Sequence, residues 1–235
     1  MTLRTLIVLL LIAVVTLFAA VGCSDSDDTK GTEITKTPLP TQSPTLTPEP
    51  TAPAPTQSPT ESATASSNPI VVMSTNFGDI TLELYQDKLP VTVENFLKYV
   101  RDDFYQNGIF HRIADNFMIQ AGMQKKNGTI KTPTYPPIPL ETHPEVTHVD
   151  GAISMARTTD PDSATAQFFI CDGAQHGLDD ENMKKRGGRG YAAFGVVING
   201  IEVVREIAAL PHDNSNPAGG GVPLEQVVIT NITIK

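Results

Sequence analysis

Residues 110–122 read FHRIADNFMIQAG, with Arg112 and Gln120 set among Phe110, Ile113, Phe117, Met118 and Ile119. A charge or an amide in apolar surroundings costs free energy unless it is hydrogen-bonded. Arg112 is a permanent cation with donors in a rigid fork, and Gln120 offers both a donor and an acceptor. Why one cation and one amide are embedded in so apolar a stretch is the first question that the sequence poses. Taken alone, Arg112 reads as a surface or paired arginine, and Phe117, Met118 and Phe169 read as ordinary core.

Other residues with chemical capacity are weaker candidates. His111 reads as a structural hydrogen-bonder rather than a base. His143 and His148 lie in a proline-rich loop with Glu141 and Glu145. That spacing reads as a solvated loop, and no metal is expected. Residues 219–221 are three glycines without a strand-to-helix setting, so they are not a phosphate loop. The chain has 2 cysteines, Cys23 and Cys171. Cys171 ends the apolar run Gln167-Phe168-Phe169-Ile170-Cys171 and reads as a small buried residue, neither bridged nor nucleophilic.

These residues belong to a chain of 235 residues with net charge −9 and no Trp. The acidic balance argues against a nucleic-acid partner, which demands a basic face. Arg4 precedes a nearly unbroken apolar run, residues 6–21, of signal-peptide length. The run ends in Ala19-Ala20-Val21-Gly22 before Cys23. This resembles a bacterial lipobox, although Ala20 stands where leucine is more usual. The resemblance implies removal of residues 1–22, lipidation of Cys23 and an extracytoplasmic domain anchored to the cell membrane. Residues 23–68 are rich in Thr, Pro and Ser and cannot bury enough surface to offset their ordering entropy. They read as a disordered, semi-rigid tether.

Residues 69–235 have the composition and size of one folded domain. A hairpin is expected where residues 70–73 and 80–85 flank the turn-forming Asn76-Phe77-Gly78-Asp79. Val93, Phe96, Leu97 and Val100 share a helical face, with Thr92 as the expected N-cap. Ile201, Val204, Ile207 and Ala208 mark a second helix, ended by Pro211. Further strands are expected at residues 110–113, 118–122, 152–156, 167–171, 191–197 and 227–234. Many short strands with two helices predict a mainly β fold, a closed antiparallel barrel capped by the helices.

Four ordered blocks then carry a resemblance. They are Leu89-Pro90-Val91-Thr92-Val93-Glu94-Asn95-Phe96; Phe110-His111-Arg112-Ile113 with Phe117-Met118-Ile119-Gln120-Ala121-Gly122; Ser154-Met155-Ala156 with Gln167-Phe168-Phe169-Ile170; and Phe194-Gly195-Val196-Val197 with Gly200 and Val203-Val204. Over residues 69–235 the chain resembles the cyclophilin-type peptidyl-prolyl cis-trans isomerases. The resemblance implies a closed eight-stranded barrel with two capping helices, a monomer without cofactor, and proline-containing polypeptides as substrates. Arg112 then corresponds to the catalytic arginine, Gln120 to the amide that holds it, and Phe117, Met118, Phe169 and Leu178 to the proline pocket. Gln167 and Ala156 correspond to the adjacent groove, Gly128 to its rim and Tyr191 to a pocket wall.

Three departures stand out. Arg157 replaces the family's substrate-binding asparagine after Ser-Met-Ala. Gly177 replaces a tryptophan that favours cyclosporin binding. Residues 180–190 read as an inserted, flexible, basic loop. The departures keep a second reading in view, a proline-segment binding module or chaperone with little turnover.

Overall fold

The computed structural model describes residues 68–235; the expected signal peptide, the lipidated Cys23 and nearly all of the tether lie outside the described residues. Ile80, Leu82 and Leu84 alternate inward on β2 (Gly78–Leu84), which pairs antiparallel with β1 (Ile70–Thr75) across a turn at Asn76 and Phe77. The remaining strands are β3 (Gly108–Ile109), β4 (Arg112–Ala114), β5 (Met118–Ala121), β6 (Ala152–Met155), β7 (Phe168–Cys171), β8 (Ala193–Asn199) and β9 (Val228–Ile234). All nine form one antiparallel sheet in the order β3-β9-β1-β2-β8-β6-β7-β5-β4.

The expected closed eight-stranded barrel is corrected to a nine-stranded open order. The reason is local: the single strand expected at residues 110–113 changes partner midway. Gly108 and Ile109 pair with β9, whereas Arg112, Ile113 and Ala114 pair with β5. Between them the Phe110 N–H donates to Val227 O (3.0 Å) and the His111 N–H to Gln120 O (3.0 Å). The two end strands are thus only Phe110 and His111 apart, and the sheet must curl to bring them there.

Helix α1 (Pro90–Arg101) begins with Pro at its first position, where the missing N–H costs nothing. The expected cap at Thr92 is not formed: Leu89 holds the N-cap position and Thr92 lies inside the helix. The Glu141 carboxylate does the capping instead. It accepts from Val91 N–H (3.3 Å), Thr92 N–H (2.6 Å) and the Thr92 hydroxyl (2.6 Å), and its charge suits the positive end of the helix. Val93, Phe96, Leu97 and Val100 are buried as the periodicity requires. Phe96 is the centre of the core, its ring 5.3 Å from Tyr105, 5.6 Å from Phe168 and 5.3 Å from Phe194.

Helix α3 (Ile201–Ala208) buries Val203, Val204, Ile207 and Ala208. A third helix departs from the sequence expectation: α2 (Asp180–Lys184) follows a 3₁₀ turn at His176–Leu178 inside the segment that read as a flexible loop. Its cause is Asp180, buried and paired with Lys184 (2.6 Å) and Arg189 (2.8 Å).

Replacing Glu141 by Ala leaves the first N–H groups of α1 without their acceptor. The expected cost is about 1–2 kcal/mol in urea unfolding, with an unchanged slope.

Candidate active site

Arg112 on β4 stands directly opposite Gln120 on β5. The connection from Ala114 to Met118 spans three residues, and Asn116 takes a left-handed φ of 56°. Asn tolerates that region better than most residues, which accounts for Asn116 at the turn. Asn116 N–H donates to Asp172 Oδ2 (2.8 Å), and Asp172 N–H donates to Phe117 O (3.0 Å). The turn is thereby pinned beside β7, and the Phe117 ring lies 5.7 Å from the Arg112 guanidinium carbon.

The guanidinium is braced from two sides. Its Nη1 donates to Gln120 Oε1 (3.4 Å), and Gln120 Nε2 donates to Gln167 Oε1 (3.1 Å). On the other side Nε donates to Gly219 O (3.2 Å), and Nη2 to Ala218 O (3.1 Å) and Gly219 O (3.0 Å). Sequence reasoning missed this second brace, although the glycine run is its signal. Ile113 N–H donates to Gly221 O (2.9 Å) and Gly221 N–H to Ile113 O (3.0 Å), which presses the loop against β4. At Gly220, with φ of 73°, a Cβ would meet Ile113 O at 2.0 Å. Only glycine permits that approach. Burial lowers the Arg112 pKa from its ordinary value, but a guanidinium stays charged.

Arg112, Gln120, Phe117, Met118, Phe169, Ala156, Arg157, Leu178, Tyr191 and Asn216 line a cavity of about 230 Å³. Its floor is a small apolar cluster of Ala114, Met118, Ala152, Phe169 and Cys171, separate from the main core, with Phe117, Ala156, Leu178 and Tyr191 packed against it. The floor is apolar and the cation sits at its edge, so the cavity suits a small ring with a polar atom on one side. Of the residues singled out in the sequence, Gln167 lies next door, in a neighbouring cavity. Gly128 is not brought in. It sits in a turn where its N–H donates to Lys125 O (2.9 Å) and its carbonyl accepts from Gln124 (3.1 Å).

A family model described as cyclophilin-type peptidyl-prolyl cis-trans isomerase matches residues 70–234. The chain belongs to this family. It is 42% identical over 176 residues to a peptidyl-prolyl cis-trans isomerase of Acinetobacter baylyi, covering 74% of this chain and 89% of the relative. Isomerase B of Escherichia coli is 39% identical over 169 residues, covering 70% of this chain and 99% of that one. A solved Cryptosporidium parvum cyclophilin-type isomerase, crystallised in the presence of the dipeptide Ala-Pro, superposes with a TM-score of 0.57 at 27% identity. It covers 71% of this chain and 98% of its own. The enzyme is a peptidyl-prolyl cis-trans isomerase.

Within this cyclophilin fold, Arg157 is committed to structure. Its guanidinium donates to Gly190 O (3.1 and 2.9 Å), Thr158 O (2.8 Å) and Arg189 O, and lies 4.4 Å above the Tyr191 ring. Asp180 holds the same segment from inside, accepting from Arg189 Nε (2.8 Å) and Gly190 N–H (2.9 Å). Burial alone would raise the Asp180 pKa; Arg189, Lys184 and the Gly190 N–H outweigh it and hold the carboxyl well below the usual range. The segment at residues 180–190 is therefore clamped beside Tyr191 at the cavity wall. At Gly177 a Cβ would have the Arg186 guanidinium as its nearest neighbour, at 3.8 Å.

The histidines also differ from the sequence reading. His148 is buried rather than solvated, with Nδ1 2.7 Å from Asp179 Oδ1 and Nε2 3.0 Å from Ser154 Oγ. These are the contacts of a hydrolytic triad, but Ser154 is 0% exposed, so no substrate reaches it. The ring instead stacks on Phe169 at 6.1 Å and supports the cavity floor. Among the described residues no His, Cys, Asp and Glu group is placed to hold a metal. Burial pushes the Cys171 thiol up to about 12, as suits an inert core cysteine. His111 is 8% exposed and its Nδ1 has no partner, so it is not the hydrogen-bonder expected.

Burial, and then the Arg112 charge, lower the His111 pKa to about 4. The unfolded chain therefore binds a proton that the folded one refuses. The stabilisation is complete above about pH 6.5 and is lost as pH falls from there towards 4, on the order of 3 kcal/mol. Urea unfolding across that range should show the decline, and His111→Phe should flatten it. Arg157→Ala should loosen Tyr191 and raise KM for a prolyl peptide several-fold while kcat changes less.

Proposed function

We propose that the isomerase works without covalent chemistry, with Arg112 as the group that favours the twisted X–Pro bond. The uncatalysed barrier is ~18–20 kcal/mol because the prolyl nitrogen lone pair is delocalised into the carbonyl. In the twisted state that lone pair is localised on nitrogen. A guanidinium donor aimed at it binds this state better than either planar one. An acceleration of about 10⁵-fold needs roughly 7 kcal/mol of such preference. The observation that carries the reading is the doubly braced guanidinium at the edge of an apolar cavity, because a preorganised charge needs no rearrangement during reaction. Proline rests on Phe117, Met118, Phe169 and Leu178; Gln120 holds Arg112; Ala156, Gln167, Tyr191 and Arg157 border the substrate. The Ala-Pro dipeptide named with the Cryptosporidium relative supports a small X–Pro segment as ligand.

The N-terminal sequence supports a lipoprotein: cleavage before Cys23, a lipid on its thiol, and a tether presenting a monomeric domain to exported polypeptides at the cell membrane. A second reading, a binding module with little turnover, is favoured by Arg157. The family's asparagine at that position binds substrate, whereas the Arg157 donors are taken by Gly190, Arg189 and Thr158.

A protease-coupled assay on a short Ala-Pro peptide separates the two readings. The catalytic reading predicts turnover by residues 69–235 and a loss of about 10²-fold or more in Arg112→Ala with the fold intact. Undetectable turnover by the unaltered domain leaves the binding module. Mass spectrometry of the membrane-extracted chain should find a lipid-modified Cys23 as its first residue; an unmodified or uncleaved N-terminus would contradict the anchor.

A further inference from the structure

A second cavity, of about 350 Å³, adjoins the first across Arg112 and Gln120. Asn216 lines both. Its other walls include His111, Gln167, Ser215 and, on the apolar side, Met123 and Val222. No Asp or Glu lines it. The polar groups it presents are mostly unspent donors. Gln167 uses only its oxygen, accepting from Gln120. Asn216 uses only its oxygen, accepting from the Ala218 N–H (2.9 Å). The Ser215 hydroxyl, by contrast, is spent on the Asp213 carboxylate.

His111 is the sharpest signal. The ring is 8% exposed, and its sealed Nδ1 has no partner. A neutral ring avoids an orphaned buried N–H by keeping its proton on Nε2. The wall of this cavity therefore carries one more N–H donor, beside the Arg112 cation.

We propose that this second cavity is a side-chain subsite of the isomerase, which takes the amide or carboxylate of a residue flanking the isomerised proline. The proposal rests on the reading of the Arg112 cavity as the prolyl site. Donors at the wall and a cation at the mouth select acceptors. Lys is disfavoured, because Arg112 repels it and the neighbouring Asp213 carboxylate does not line the cavity, being turned to the Ser215 and Val222 N–H groups. A volume of about 350 Å³ leaves room for Asn, Asp, Gln or Glu.

The test uses the full mature chain and X–Pro peptides carrying Ala, Asn, Asp or Lys at each of the two positions on either side of proline. At one of these positions Asn and Asp should raise kcat/KM over Ala by about five- to tenfold, the worth of one net hydrogen bond, and Lys should lower it. His111→Phe keeps the ring and removes the donor; Asn216→Ala removes the shared amide. Each should reduce the Asn-to-Ala ratio towards one, and Asn216→Ala carries the test if His111→Phe does not fold. Equal rates for the Ala, Asn, Asp and Lys peptides at every position would overturn the subsite, as would a preference that neither variant alters. No turnover of any peptide would instead remove the isomerase reading on which the subsite rests.

Discussion

A half-buried guanidinium is stable only if its donors are occupied, and it is useful only if one face stays open. Arg112 meets the first condition because three backbone and side-chain acceptors hold it, Ala218 O, Gly219 O and Gln120 Oε1; it also lines the cavity, as the proposed role requires. Losing the brace would let the long side chain swing into water, where its charge is screened and its direction is lost. The fold around the site can be understood as the means of keeping that one cation in place beside an apolar floor.

Each element contributes to this. The β4–β5 pairing sets Arg112 against Gln120. The glycine run lets the loop at residues 218–221 lie close enough to β4 for its carbonyls to reach the guanidinium. The antiparallel pairing of β5 with β7 sets Phe169 and Met118 side by side in one floor. Behind the floor, His148 is fixed between Asp179 and Ser154 and backs the Phe169 ring. On the far wall Arg157 and Asp180 hold the insert and Tyr191. The floor is a small cluster of its own, apart from the aromatic core around Phe96. A change in the floor should therefore affect the site more than overall stability.

Much of this was legible in the sequence, for physical reasons. Strand alternation and the two helical faces follow from local periodicity, and the four ordered blocks carried the family, Arg112, Gln120 and the floor. What was hidden depends on contacts between distant segments. The strand at residues 110–113 changes partner midway, which no periodicity records. Thr92 had the type of a cap, but Glu141, 49 residues on, supplies the acceptor. The basic insert read as mobile because its charges are visible in sequence, while the burial of Asp180 that orders it is not. Glycines 219–221 were visible as a run but not as a brace, because their role exists only against β4. Gly128 matched a motif, yet it closes a local turn and does not line the cavity.

The central claim is that the direction of the Arg112 donors matters, beyond the presence of a positive charge. The most direct measurement is the enzyme-catalysed cis–trans exchange rate of an Ala-Pro peptide, followed by NMR, for the unaltered domain and for Arg112→Lys. Lysine keeps the charge but loses the planar fork that reaches Ala218, Gly219 and Gln120 together. The account predicts a fall of at least tenfold in catalysed exchange, with cooperative unfolding retained. Exchange at the unaltered rate in a folded Arg112→Lys domain would contradict it.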